Sequence, residues 1–293
     1  MKIIYIFDGL GNQMFQYAFY KKMKKIYKNV YGNLDTFKRD MKIHNGYELD
    51  RVFGVEIEEK KVIFDNFFSM VRLKKRTIFH RIIQKFLREL NLLVYLEKWN
   101  ENIEQKINKK RIVFYTGWWQ SERFFKDISD ELRKDFSFPE FRDKKNLEIS
   151  EKIKNSNSIS IHIRRGDYLG DKGLGGLAPL EYYQRAIEYI KSKVENPYFF
   201  IFSNDIEWCR ENLNLENSFY INWNKGEESY RDMQLMSLCE HNIIPNSTFS
   251  WWGAWLNNNP NKIVIAPEKW FNDCTNMNYS NIVPENWIKI KNY

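Results

Sequence analysis

The sequence predicts an α/β protein of two Rossmann-like units, each built on a parallel sheet, facing one another across a cleft. Short apolar runs of strand length alternate with helical stretches of ten or more residues, the pattern of parallel strands joined by helical crossovers. The pattern occurs twice. Pro139 and the polar stretch Arg142-Asp143-Lys144-Lys145-Asn146 separate the two occurrences, and 293 residues suffice for two cores. The expected units are residues 1–145 and 146–293, with the last residues free to pack back on the first unit.

In the first unit, Ile3 to Phe7 is a continuous apolar run that ends in Asp8-Gly9-Leu10-Gly11-Asn12. Met14, Phe15, Tyr17, Ala18 and Phe19 then recur at helical spacing, and Lys21, Lys22, Lys24 and Lys25 suit a helix C-terminus. Asn29 to Leu34 reads as the second strand. From Thr77 to Trp99, Ile78, Ile82, Ile83, Phe86, Leu87 and Leu90 form one stripe opposite Lys and Arg, so a helix is expected there. Arg111 to Tyr115 is a further strand and leads into Gly117-Trp118-Trp119-Gln120-Ser121-Glu122. In the second unit, strands are expected at Ser158–Ile163, Tyr198–Phe202, Asn242–Ile244 and, last, Lys262–Ala266. Helices are expected at Leu180–Val194, at Ser229–Cys239 and from Thr248 to Leu256.

The formal charge of +8 favours an anionic partner, whether nucleic acid, a phospholipid surface or a phosphorylated small molecule. Cys209, Cys239 and Cys274 are an odd number without C-x-x-C spacing, which disfavours a disulfide scaffold or a zinc site and points to a reducing compartment. The apolar run after Met1 is too short for a signal peptide, and no run of about eighteen apolar residues occurs, so a cytoplasmic protein is expected.

Three segments carry chemistry. His162-Ile163-Arg164-Arg165-Gly166-Asp167-Tyr168 follows the strand Ser158–Ile163. Ile159, Ile161 and Ile163 fall on one face; Ser160, His162 and Arg164 share the other, and Arg165 turns back towards the isoleucines. Ligands of α/β units bind at the carboxyl ends of the strands, where an arginine can grip a diphosphate through its planar fork. The alternative is an Arg-Asp knot that only holds the loop, with Asp167 satisfying one arginine. Asn246-Ser247-Thr248-Phe249-Ser250-Trp251-Trp252-Gly253 lies between a strand and a helix, where N–H groups and hydroxyls can take a phosphate. An ordinary N-cap uses the same residue types. Trp251 and Trp252 read as core more readily than as a sugar platform. Gly9-Leu10-Gly11-Asn12-Gln13 lets another group approach the backbone. Met14 stands where a dinucleotide fingerprint needs a small residue, which disfavours NAD even with Asp35 at a suitable distance.

Gly9 to Ala18, Tyr115 to Phe125, His162 to Tyr168, Phe202-Ser203-Asn204-Asp205 and Asp232 to Leu256 together closely resemble glycosyltransferase family 11, the α-1,2-fucosyltransferases. The resemblance implies a GT-B architecture, GDP-fucose as donor, inversion at the fucose C1 and a β-galactoside acceptor, in synthesis of a bacterial surface glycan such as O-antigen or capsule. It makes 1–145 the acceptor side and 146–293 the donor side. It places Arg164 on the diphosphate, His162 near the guanine with Asn204 and Asp205, and Ser247, Thr248 and Phe249 around the phosphates and sugar. Gly9 and Gly11 would line the donor, Asn12 would face the fucosyl carbon and the acceptor, and Trp119, Gln120 and Glu122 would touch the acceptor. Two positions depart from the family pattern. Asp8 stands where glycine is usual, and Asn204 replaces the first aspartate of F-S-D-D. Asp8 is read as a turn residue.

No Asp-x-Asp sequence occurs, so neither a metal nor another cofactor is expected. A fixed arginine with hydroxyl and N–H donors would then offset the charge that grows on the departing diphosphate. Arg164, Asn12 and Asp167 are the candidate catalytic residues. Asp167 and Asp8 are the carboxylates within the motifs that could take a proton from the galactose 2-hydroxyl, and neither is assigned as base. Nucleic acid is not expected as partner, because no RNA-binding sheet motif, Lys/Arg-rich arm or zinc module accompanies the basic composition. A fucosyltransferase of another linkage on the same scaffold is the alternative. The basic stripe from Thr77 to Trp99 fits first a packed helix with a solvated face. Second, it fits peripheral contact with an anionic inner membrane carrying a lipid-linked oligosaccharide.

Overall fold

The computed structural model describes residues 1–39, 44–60, 86, 92–96, 112–272 and 281–292. They fall into two compact units, one drawn from Met1–Gln120 with Phe124–Asp135 and the other from Ser121–Arg123 with Phe136–Tyr293.

The first unit contains β1 (Lys2–Tyr5), α1 (Leu10–Ile26), β2 (Val30–Asn33), α2 (Asp35–Arg39), α3 (Leu49–Phe53), β3 (Leu92–Leu96), β4 (Ile112–Thr116) and α4 (Ser129–Asp135). Its strands run parallel in the order β2-β1-β4-β3. Ile3 and Ile4 point to opposite faces and both are fully buried, which is why β1 reads as an unbroken apolar run. α1 buries Met14, Phe15, Ala18 and Phe19, and its basic end is paired to its surroundings by Lys21 with Asp135, Lys22 with Asp127 and Lys25 with Glu131.

β3 corrects the helix expected from Thr77 to Trp99. Leu92 to Leu96 pair in parallel register with Ile112 to Thr116. A short apolar run such as Leu92-Leu93-Val94-Tyr95-Leu96 has no period of its own, and reading it as the continuation of a helical stripe was the error. Apart from Phe86, the rest of that stretch lies outside the described residues.

The second unit contains α5 (Lys144–Lys154), β5 (Ser158–Ile163), α6 (Leu180–Lys191), β6 (Tyr198–Ser203), α7 (Ile206–Leu213), β7 (Ser218–Ile221), α8 (Tyr230–Leu238), β8 (His241–Ile243), α9 (Thr248–Leu256), β9 (Val264–Pro267) and β10 (Ile288–Ile290). The strands are parallel in the order β10-β9-β8-β5-β6-β7. Numbered from β5, this is the 3-2-1-4-5-6 order of nucleotide-binding folds. α5, α7, β7 and β10 were not expected, and β10 corrects the reading of Lys262–Ala266 as the last strand. β10 has only three residues and joins the edge beside β9, so it is too short to carry a periodic signal. The two-residue period of β5 sorts its faces as expected. Ile159, Ile161 and Ile163 pack with α6 and α7, while Phe200 and Phe202 of neighbouring β6 pack on the opposite face with α5 and α8. No helix among the described residues is long and apolar enough to cross a membrane.

Candidate functional site

Strand order reverses between β5 and β8 in the second sheet, and adjacent parallel strands at such a reversal leave a crevice at their carboxyl ends. Both donor-side motifs emerge there. His162 is buried near the end of β5, and its ring lies 5.9 Å from that of Phe249 in the first turn of α9. Arg164 follows the strand, with its guanidinium carbon 5.7 Å from the centroid of Tyr168. The Tyr168 hydroxyl donates to the Asn246 carbonyl at 3.3 Å, which ties the arginine loop to the segment ahead of α9. Ser247 occupies the N-cap position with extended backbone, yet its side chain caps nothing. The ordinary N-cap role is therefore not what Ser247 performs. Thr248 and Phe249 are half-buried in the first helical turn, whose N–H groups are a positive helix end.

Arg165 does form a structural knot. Its Nε lies 3.1 Å from Asp205, its guanidinium stacks at 4.0 Å over Trp208, and its backbone N–H donates to Asn204 Oδ1 at 3.0 Å. Asp205 also accepts from the Trp208 N–H at the start of α7. A Cβ on Gly166 would meet Asn204 Nδ2 at 2.5 Å, so glycine is what lets the loop close against that side chain. Asn204 and Asp205 thus serve the shape of the arginine loop. Asp167 lies in the 3₁₀ turn Gly166–Tyr168, and of it only the backbone is described. Trp251 and Trp252 are fully buried core, as their context suggested.

In the first unit the order reverses between β1 and β4, and the glycine turn meets the Trp-Trp-Gln segment there. Gly9 is the N-cap of α1, with Gly11 and Asn12 in the first turn. Asp8 has φ 65°, the left-handed region that favours glycine. Its Oδ2 accepts the Trp118 indole N–H at 2.7 Å. Gln120 Nε2 donates to Asn12 Oδ1 at 2.7 Å. Trp119, by contrast, is fully buried and stacked on Phe19 at 3.9 Å. Glu122 falls in the second unit and accepts from Trp255 Nε1 at 3.2 Å. Of the three expected acceptor contacts, Trp119 is therefore enclosed in the core, Gln120 is bonded to Asn12 and Glu122 to Trp255.

Sequence reasoning missed the scaffold beneath this turn. Gln13 donates to the carbonyls of Asp8 and Gly46, both at 2.8 Å, and accepts from the Glu48 N–H at 2.9 Å. Gln16 accepts from the Phe7 N–H at 2.8 Å and donates to the Gly117 carbonyl at 3.2 Å. Two buried glutamines on an otherwise apolar helix face were the available signal. Glu48 is buried beside Arg51 at 2.9 Å; burial pushes its carboxyl up, against the opposing pull of Asn45 and Arg51. Among the described residues no group of three or more His, Cys, Asp or Glu is placed to hold a metal ion.

The family model described as Glycosyl transferase family 11 matches residues 2–291. This chain belongs to glycosyltransferase family 11. It is 36% identical to the alpha-1,2-colitosyltransferase of Escherichia coli, an alignment covering 97% of this chain and 96% of that protein. It is 31% identical to the O-antigen biosynthesis glycosyltransferase WbnK of Escherichia coli, with 96% and 98% covered. Its structure is similar to that of NodZ alpha-1,6-fucosyltransferase co-crystallized with GDP, with a TM-score of 0.50 over 86% of this chain and 90% of that one. At 14% identity that likeness concerns the fold alone. The family 11 chain accordingly has the two parallel α/β sheets of GT-B glycosyltransferases, as its sequence predicts.

Proposed function

We propose that this family 11 enzyme transfers fucose from GDP-fucose to the 2-hydroxyl of a terminal β-galactoside, with inversion and without a metal ion, in assembling a bacterial surface glycan. The observation that carries the reading is that Tyr168, which lies against the Arg164 guanidinium, is hydrogen-bonded to the segment ahead of α9 at the carboxyl ends of β5 and β8. The relatives that align along almost the whole chain are named for α-1,2 transfer and for O-antigen synthesis, which supports linkage and pathway class.

Transfer breaks the bond between C1 of the sugar and the diphosphate oxygen, so negative charge grows on the departing nucleotide. Arg164 offsets it as a planar cation, and the first-turn N–H groups of α9 with the Ser247 and Thr248 hydroxyls supply further donors. His162 packs against the nucleoside end, and Phe249 lies by the phosphates and sugar. The galactose 2-hydroxyl attacks from the opposite face, oriented by Asn12, and the carboxylates within the motifs that could take its proton are Asp167 and Asp8.

A second donor is favoured by the 36% identity to a colitosyltransferase. Colitose is fucose without its 3-hydroxyl, and the same diphosphate site serves either sugar. The test is incubation with GDP-fucose or GDP-colitose against a panel of β-galactosides, in EDTA, with linkage analysis. An α-1,2-linked product formed in EDTA is expected. Loss of transfer that Mn²⁺ restores overturns the metal-free mechanism, and another linkage overturns the acceptor assignment.

A further inference from the structure

We propose that Trp118, held by Asp8, is the surface on which this enzyme's acceptor sugar stacks, and that the pair sets acceptor choice; the inference rests on the galactoside-transfer reading. Asp8 occupies a left-handed backbone position at φ 65°, where any residue but glycine carries a conformational cost. What the side chain does at that position is accept the Trp118 indole N–H at 2.7 Å. A hydrogen bond to a carboxylate is of the stronger kind, and it fixes the rotation of the ring. Phe7 meets the same ring edge-on at 6.0 Å and 69°, which braces it from a second direction.

Of the two adjacent tryptophans, Trp119 is enclosed while Trp118 keeps part of its surface. Two residues further on, Gln120 is 6% exposed, and its amide nitrogen is committed to Asn12. Its amide oxygen is buried with no hydrogen-bond partner among the described residues. A buried acceptor left unpaired is costly, and a sugar hydroxyl would satisfy it. The group sits at the carboxyl ends of β1 and β4, where the order of the first sheet reverses. A part-exposed indole face on a segment that also carries such an acceptor suits a galactose ring. The axial 4-hydroxyl of galactose leaves one face a patch of C–H groups that packs on an aromatic surface, and the hydroxyl rim reaches the amide.

The test uses the full chain with lactose and N-acetyllactosamine as acceptors. Acceptor KM at saturating donor is measured, together with GDP affinity by calorimetry. Trp118→Ala and Asp8→Gly are expected to raise acceptor KM about 10- to 100-fold, the range for losing a hydrogen bond to a charged group or the ring it orients. GDP affinity is expected to stay within about twofold, and Asp8→Asn, which keeps an oxygen acceptor, to restore most of the acceptor KM. Asp8→Gly also relieves the left-handed backbone, so its fold is expected to survive. Unchanged acceptor KM overturns the proposal, and so does an equal loss of GDP affinity, which would mark the pair as structural. Saturation-transfer NMR separates the two levels of inference. A parent chain that binds β-galactosides but transfers nothing to them refutes the function and leaves the platform standing, provided Trp118→Ala abolishes the binding. A parent chain that binds none refutes both.

Discussion

Arg164 and Arg165 are neighbours with different employment. Arg165 is held by Asp205 and Trp208, so removing it disturbs the loop itself. Arg164 lies over Tyr168 at the mouth of the β5–β8 reversal. Arg164→Ala is expected to lower kcat by about 10²–10³-fold or more, with the unfolding midpoint changed little, measured by steady-state kinetics and urea titration. A second residue-scale expectation concerns Asp232 on α8. Burial pushes its carboxyl up to about 7, against the hydrogen bond from Asn224 Nδ2 at 2.8 Å. An acid with a raised folded-state pKa binds its proton more tightly in the folded chain than in the unfolded one. Its contribution to stability is therefore greatest below the ordinary carboxylate range, declines as pH rises towards about 7, and is flat above that. Asp232→Asn is expected to flatten this part of the profile, so that the difference in Tm between variant and parent grows in the variant's favour from about pH 4 to about pH 7.

At the scale of elements, those buried on both faces or carrying a long apolar stripe were legible. β5 and α9 fall on the expected residues, because the isoleucines of β5 recur at the two-residue strand period and α9 is a largely apolar run. α7 was missed because Asn204-Asp205 and Asn214 at its ends look like loop residues. In the structure Asp205 caps the helix and Asn214 ends it in the left-handed conformation. The same capping logic gives a prediction for α5. Asp143 accepts from the Asn146 N–H and from its Nδ2, both at 2.8 Å. Asp143→Ala is expected to cost about 1 kcal/mol, seen as a lower urea midpoint at unchanged slope.

At the scale of the molecule, the chain does not divide at one point. Ser121 to Arg123 belong with the second unit, where Ser121 Oγ donates to the Asn281 carbonyl at 2.7 Å. The far end of the chain closes the same unit. Trp251 donates through its indole N–H to the Ile282 carbonyl at 2.9 Å, and its ring lies 5.3 Å from that of Trp287. Trp287→Ala is expected to destabilise the second unit by about 3–5 kcal/mol, and to lower GDP affinity in step with the folded fraction, measured by denaturant titration with and without GDP.

Sequence alone determined the family, the two parallel α/β units and the motifs that end their central strands. These follow from local periodicity and from short strings whose residues lie next to one another. Tertiary structure alone decided which motif residues support the site and which face it. Asp205 shapes the arginine loop, Trp119 disappears into the core, and Trp118 is held by Asp8 across a sequence separation of 110 residues. The physical reason is that a side chain's role depends on the partner that satisfies its polar atoms. In parallel sheets that partner is brought from a distant strand end by the order of the strands, which no local pattern records.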